Sequence, residues 1–206
     1  MSANGISARI IDQYIVEPLL QIHYPRVEGL PDPAVQEQIN LEIEELVQDL
    51  LTNPDNLHLG YEPGNTEIII GYAVEVNRNS ILSLRFEVYS MPEMGANGFT
   101  KVKSLTVNLE DGQVYTFADL FIPGSGYVET INEIIKQEFA AQDIPMINEF
   151  ESIDEDQEFY LTDNALVIYF QLFVYTPHYV GIPEFPIPYY MLEDYVNPAG
   201  PIANLM

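Results

Sequence analysis

Residues 159–192, FYLTDNALVIYFQLFVYTPHYVGIPEFPIPYYML, constrain the fold more than any other part of this sequence. In their most apolar part, residues 166–175, both alternating sets of side chains are apolar. An amphipathic helix would carry a polar stripe here, whereas this run has only Gln171. Because a strand that is apolar on both faces must be covered on both sides, the sequence predicts that residues 166–175 form the central strand of a sheet with packed layers above and below it.

Two helices are predicted from apolar residues at helical spacing. The first begins at Asp32, whose carboxylate would cap it, has Pro33 at its first position and ends near Leu51. The second follows a chain break at residues 123–126. Its apolar stripe consists of Val128, Ile131, Ile135 and Phe139.

The remaining pattern predicts strands. Residues 8–27 are two short strands or one bent edge strand, because Pro18 interrupts them. Residues 66–88 alternate with a period of two and predict an antiparallel hairpin with one buried face, followed by a loop at 91–98 and a third strand near 105–109. The fold class is therefore α+β, with mainly antiparallel sheets packed against the two amphipathic helices.

The strongly negative charge of the chain favours some classes of binding partner and disfavours others. Seven basic residues stand against 32 acidic ones, which gives a formal net charge of −25. Such a surface repels phosphate backbones and anionic membranes, and it favours cationic proteins, divalent metals and cationic ligands. The chain has no cysteine, so it has no disulfide framework and no thiolate metal site.

The N-terminus lacks the basic and apolar regions of a signal peptide, and no apolar run is long enough to span a membrane. As the chain stands, we expect a cytoplasmic protein without membrane insertion, or an extracytoplasmic one if a leader or anchor was trimmed. The last residues, 197–206, offer little to pack and are expected to fray.

Motifs for metal, cofactor or covalent chemistry are weak. The acidic connector at residues 149–158 lacks the glycine of a calcium loop, because Phe159 stands at that position. The three histidines, His23, His58 and His178, have no ligand spacing. Ser125 lies between two glycines without the flanking residues of a nucleophile elbow, and no phosphate loop is present. The sequence thus predicts no metal, no cofactor and no catalytic residue.

Two features point to recognition or to hydrolysis. Glu184 lies among aromatic residues, where a second carboxylate would permit glycosidase chemistry, although capping or local pairing at a sheet edge is the favoured explanation. Tyrosines also concentrate near the proline-rich strands, where they are suited to binding a basic protein or a sugar, or else to packing in the core. These tyrosines are Tyr175, Tyr179, Tyr189, Tyr190 and Tyr195.

Several segments resemble the PdaC/RsiV-like family. IHYPRVEGLPDPAVQEQIN and LSLRFEVYSMPEMGANG are similar to the N-terminal module of peptidoglycan deacetylases of the PdaC type. TVNLEDGQVYTFADLF, FYLTDNALVIYF and YVGIPEFPIPYYML are similar to the C-terminal module of lysozyme-sensing anti-sigma factors of the RsiV type. The resemblance implies a PdaC-like module at residues 8–98 and an RsiV-like module at residues 99–196, packed as one compact unit.

The family's loop usually reads Gly-Gly-Ala-His-Gly, and the matching positions here are Met94, Gly95, Ala96, Asn97 and Gly98. Asn97 replaces the histidine, so a role that needs a titrating imidazole is lost or altered. The chain has neither a deacetylase domain nor a sigma-binding segment, so the resemblance does not imply those activities.

The resemblance and the charge together predict a non-enzymatic binding domain for a cationic protein such as a lysozyme-like enzyme. The alternatives are a module for cell-wall glycan and a carboxylate-based hydrolase. The predicted binding residues are Gly95, Ala96, Asn97, Gly98, Tyr175, Tyr179, Glu184, Tyr189 and Tyr190.

Overall fold

A computed structural model describes residues 5–58, 60–62 and 64–206. The chain divides into two compact units, a first unit of residues 1–113 and a second unit of residues 114–206. The sequence predicted a module boundary after residue 98. The division into units lies later in the chain, because the strand that begins at residue 99 pairs with the sheet of the first unit. Both units combine helices with mostly antiparallel strands, so the predicted α+β class is confirmed.

The first unit is a five-stranded sheet with one long helix. Its strands run in the order β1-β2-β3-β4-β5, and neighbours are antiparallel except β2 and β3, which are parallel. The helix α1 packs against β2. The elements are β1 (Arg9–Glu17), β2 (Leu20–Glu28), α1 (Pro33–Thr52), β3 (Thr66–Arg78), β4 (Ile81–Pro92) and β5 (Phe99–Asn108).

The predicted start of α1 is confirmed. The Asp32 side chain accepts a hydrogen bond from the backbone N–H of Ala34 at 2.8 Å, and Pro33 is the first helical residue. Residues 8–27 form the two strands of a hairpin, which is the first of the two arrangements that the sequence allowed.

A polar contact that the sequence did not predict joins α1 to β2. Asn40 is buried in the helix, where its Oδ1 accepts from the backbone N–H of Val27 at 2.7 Å and its Nδ2 donates to the Val27 carbonyl at 3.0 Å. The amide therefore satisfies both backbone groups of a buried strand residue.

The second unit contains a three-stranded antiparallel sheet in the order β6-β7-β8, and α2 packs against β8. The predicted apolar stripe of α2 is largely confirmed, because Ile131, Ile135 and Phe139 are buried. The elements are α2 (Tyr127–Ala141), β6 (Phe159–Leu161), β7 (Ala165–Tyr169), β8 (Glu184–Pro188) and α3 (Pro201–Leu205).

The central strand is predicted correctly in position but not in length. All five residues of β7 are buried, and β7 lies between the other two strands. The prediction that it continues to residue 175 is wrong. The chain turns after Tyr169, with a hydrogen bond from the Val174 N–H to the Gln171 carbonyl at 3.2 Å and a positive φ of 67° at Phe173.

The expectation that residues 197–206 fray is not met. They include α3, in which Ile202 and Leu205 are buried. The short apolar pattern of this helix offers too few turns to be recognised from sequence.

Candidate functional site

Three turns of the first unit meet at one end of its sheet and line an open surface cavity of about 530 Å³, here called the loop cavity. One turn joins β1 to β2, one precedes β3, and one follows β4. They meet because Leu20 pairs with Ile68 and Thr66 pairs with Pro92, which places all three turns beside one another.

Two of these turns hold large apolar residues in the left-handed backbone region. Leu19 has φ 66° and Met94 has φ 63°. Met94 is the third residue of a turn closed by a hydrogen bond from the Gly95 N–H to the Pro92 carbonyl at 2.9 Å. Glycine is the usual residue at such a position, because side chains with a Cβ are strained there. Strained backbone that persists in this way is often found at functional sites.

The loop cavity combines apolar walls with negative charge. Its apolar lining is Leu19, Met91, Pro92 and Met94, and the side chain of Met94 is 97% exposed. Glu67 and Glu93 supply two carboxylates, and no basic residue lines the cavity among the residues that the structure describes. Such a lining suits a ligand with an apolar stem and a cationic head, as in lysine and arginine side chains.

The predicted loop residues lie directly after this cavity. Gly95, Ala96, Asn97 and Gly98 follow Met94, the last lining residue, and Ala96 and Asn97 are exposed. Gly98 has a packing role, because a Cβ at this position would overlap the ring of Tyr89. None of residues 95–98 is among the described residues that line the cavity, so their binding role stays a prediction. The lining residues that precede them were identified only from the structure.

The five other predicted binding residues lie in the second unit and have different environments. Tyr179 and Tyr190 are 77% and 72% exposed. Tyr189 is only 4% exposed, and its hydroxyl donates to the Thr162 carbonyl at 2.6 Å, so it is not available to a ligand. Glu184 is half-buried and accepts a hydrogen bond from the Tyr160 hydroxyl at 3.2 Å.

Tyr175, the remaining predicted residue, belongs to an aromatic cluster with Phe139, Phe150 and Phe170. Burial raises the pKa of Tyr175, and the charges of Asp154 and Glu151 raise it further. Beside this cluster lies a second cavity of about 340 Å³, here called the aromatic cavity. It is lined by Lys136, Phe139, Ala140, Met146, Glu149 and Phe150.

A polar cluster crosses three strands of the first unit. The Tyr72 hydroxyl donates to Asp12 Oδ1 at 2.6 Å, and Nε2 of His23 lies 2.7 Å from the same oxygen. The ring of Tyr14 stacks on His23 with a centroid distance of 4.5 Å. Hydrogen bonds from Tyr72 and from His23 lower the pKa of Asp12. The pKa of Tyr72 is raised, mainly by burial and to a smaller extent by the hydrogen bond to Asp12.

Two further features bear on catalysis and metal binding, namely the environment of Ser125 and the spacing of the histidine and acidic side chains. Among the residues that the structure describes, the buried Ser125 hydroxyl has no hydrogen-bond partner, so none of them is positioned as a base to activate it as a nucleophile. In the described part of the chain, no three histidine or acidic side chains cluster closely enough to hold a metal ion. Within residues 5–58, 60–62 and 64–206, no helix has the length and apolarity needed to cross a membrane.

One segment of the chain matches a known domain family, and solved structures of that family have a similar fold. Residues 118–190, about a third of the chain, match the family described as "Protein of unknown function (DUF3298)". Two solved structures of this family share the fold. A protein from Bacteroides fragilis has a TM-score of 0.64 at 16% identity, covering 98% of this chain and 97% of its own. A protein from Pseudomonas aeruginosa has a TM-score of 0.66 at 15% identity, covering 97% and 94%.

Curated relatives extend the comparison to individual proteins. The anti-sigma-V factor RsiV of Bacillus subtilis is 24% identical over 203 residues, which cover 91% of this chain and 65% of RsiV. An esterase of Mycobacterium tuberculosis is 32% identical over 98 residues, covering 46% of this chain and 43% of the esterase. The chain thus spans less than two thirds of either relative. The similarity to RsiV confirms the predicted family resemblance.

Proposed function

We propose that this chain is a non-enzymatic recognition domain for a cationic protein, and that the loop cavity receives a lysine or arginine side chain of that partner. The supporting observation is the lining of the cavity. Leu19, Met91 and Met94 would cover the aliphatic stem of such a side chain, while Glu67 and Glu93 would face its charge.

The charge of the whole chain supports the same partner class. A formal charge of −25 attracts cationic proteins over the distance of a Debye length and raises their association rate. The second unit adds to this field, because Lys136 is its single lysine or arginine.

Lysozyme-like enzymes are the partner that the resemblance to RsiV-type anti-sigma factors favours, since those proteins sense lysozyme and lysozymes are commonly cationic. The similarity of this chain to RsiV over 91% of its length is consistent with that choice. The proposal concerns binding alone and assigns no downstream signalling to this chain.

Titration calorimetry against a panel of lysozymes, at low and moderate salt, tests this function. We expect binding that weakens as salt rises, because the attraction is electrostatic. Soluble peptidoglycan fragments and a chromogenic ester are included as separate samples. Absence of heat with every lysozyme at both salt concentrations would contradict the proposal. So would tight binding of the glycan alone, or ester turnover that Ser125→Ala abolishes.

A further inference from the structure

The first strand of the chain is an edge strand with an exposed apolar surface. Among the described residues, β1 pairs only with β2, so its outer edge carries backbone groups without a strand partner. Tyr14 and Val16 on this strand are 66% and 76% exposed, and Ile15 is also exposed. Edge strands of this kind are templates for pairing with another strand, and proteins usually protect them with charges, bulges or covering segments.

The sequence of β1 is complementary to its own reverse. When RIIDQYIVE is aligned antiparallel with a second copy and centred on Gln13, Arg9 lies opposite Glu17. Ile10 then lies opposite Val16, and Ile11 opposite Ile15. Side chains alternate between the two faces of a strand. In this alignment the two members of each pair therefore lie on the same face of the joined sheet, where they can contact each other.

We propose that two copies of this chain associate through β1, with the strands antiparallel and a two-fold axis at Gln13. This arrangement joins the two five-stranded sheets into one continuous sheet. The interface is isologous, so the Arg9–Glu17 pair and each apolar pair occur twice.

A second copy fits this edge better than an unrelated strand does. The two ends of β1 carry opposite charges, Arg9 and Glu17, and each lies opposite the other residue of the second copy only in this register. A shift by one residue would place apolar residues against the opposite face. Arg9 already contacts Glu28 on its own β2 and would then lie between two carboxylates, which suits a guanidinium with several donors.

Salt distinguishes this association from the binding of a cationic partner. Two copies with a charge of −25 each repel one another, and screening reduces this repulsion. The dimer should therefore strengthen as salt rises, whereas binding of a cationic protein should weaken. The two proposals can accordingly fail independently.

Charge reversal in the full-length chain tests the register. Sedimentation equilibrium at moderate salt should show a concentration-dependent dimer of the 23.4 kDa chain. Arg9→Glu and Glu17→Arg each place like charges opposite one another at two positions, which should weaken dimerisation by at least about tenfold. The double variant restores opposite charges and should recover most of the affinity. The loss of the contact with Glu28 affects monomer and dimer alike, so it cancels in this equilibrium.

Glu45→Arg is the matched control, because Glu45 is exposed on α1 and the substitution changes the charge as Glu17→Arg does. It should leave the dimer as strong as in the wild type or slightly stronger. A monomer at all concentrations and salts would overturn the proposal. A dimer that ignores both single reversals, or one that the double variant fails to restore, would overturn it as well.

Discussion

Leu19 and Met94 lie in different turns of the first unit, yet both line the loop cavity and both adopt a left-handed backbone, with φ of 66° and 63°. Neither is a glycine, so each turn holds a strained apolar residue at the edge of the same cavity. A glycine at position 94 would adopt this conformation without strain. The chain therefore retains an exposed thioether beside two carboxylates at some cost in stability.

Met94→Gly should raise the free energy of unfolding by about 1 kcal/mol, because relief of left-handed strain exceeds the greater flexibility of glycine in the unfolded chain. Urea unfolding measures the change. Met94→Ala is the control, since alanine keeps the Cβ that causes the strain and should bring no comparable gain. An equal gain for both variants would show that strain at this position is negligible.

Gly98→Ala should destabilise the first unit by about 1–3 kcal/mol, because the added methyl group overlaps the ring of Tyr89. Gly71→Ala is the matched control: no atom of the described residues lies within 4 Å of its added Cβ, and its φ is not in the left-handed range. Thermal unfolding of both variants compares them directly. If the two substitutions have equal effects, the close approach of Tyr89 to Gly98 is not what selects glycine there.

Tyr72→Phe should reveal two pH-dependent contributions to stability. Asp12 has a lowered pKa, so its contribution is present above the usual value of 3.8 and is lost as pH falls through the folded-state pKa. Tyr72 has a raised pKa, so its contribution is present below the usual value of 10.0 and is lost as pH rises toward the folded-state pKa.

The wild type should therefore exceed Tyr72→Phe in stability by a constant amount at intermediate pH, and this difference should shrink at both extremes. Urea unfolding across the pH range checks this. A difference that stays constant into strong acid and strong alkali would contradict the hydrogen bond between Tyr72 and Asp12.

Ile202→Ala should destabilise the second unit by about 2–5 kcal/mol, because it removes a fully buried side chain from α3. Met206→Ala is the control, since that side chain is exposed and its loss should cost less than about 0.5 kcal/mol. Chemical unfolding followed by tyrosine fluorescence measures both. A negligible cost at Ile202 would instead support the frayed tail that the sequence suggested.

Local sequence signals predicted the elements whose causes are local. Asp32 and Pro33 define the start of α1, and the apolar run at residues 165–169 forms the central β7. The apolar residues that follow β7 led to a predicted strand that is too long, because their apolar character reflects packing outside the sheet. Phe170 and Tyr175 pack in the aromatic cluster, which involves the distant Phe139 and Phe150.

The loop cavity was only partly predictable. The loop motif placed a site near Gly95 and Gly98, but Leu19 and Glu67 come from other turns that β pairing brings beside it. No periodicity or spacing in the sequence links these residues, since their proximity depends on the parallel pairing of β2 with β3. The contact of Asn40 with Val27 was missed for a similar reason, because a polar residue in a helix does not reveal which strand it will meet.

The most direct test of the proposed recognition is the affinity of Glu67→Gln/Glu93→Gln for a cationic lysozyme, measured by calorimetry at low salt. Glu45→Gln/Glu193→Gln has the same net charge and changes two exposed residues outside the loop cavity, so it serves as the control. We predict that the first variant binds about tenfold more weakly than the wild type or more weakly still, and that the control loses much less. Equal losses for the two variants would show that overall charge alone attracts the partner and would contradict a role for the loop cavity.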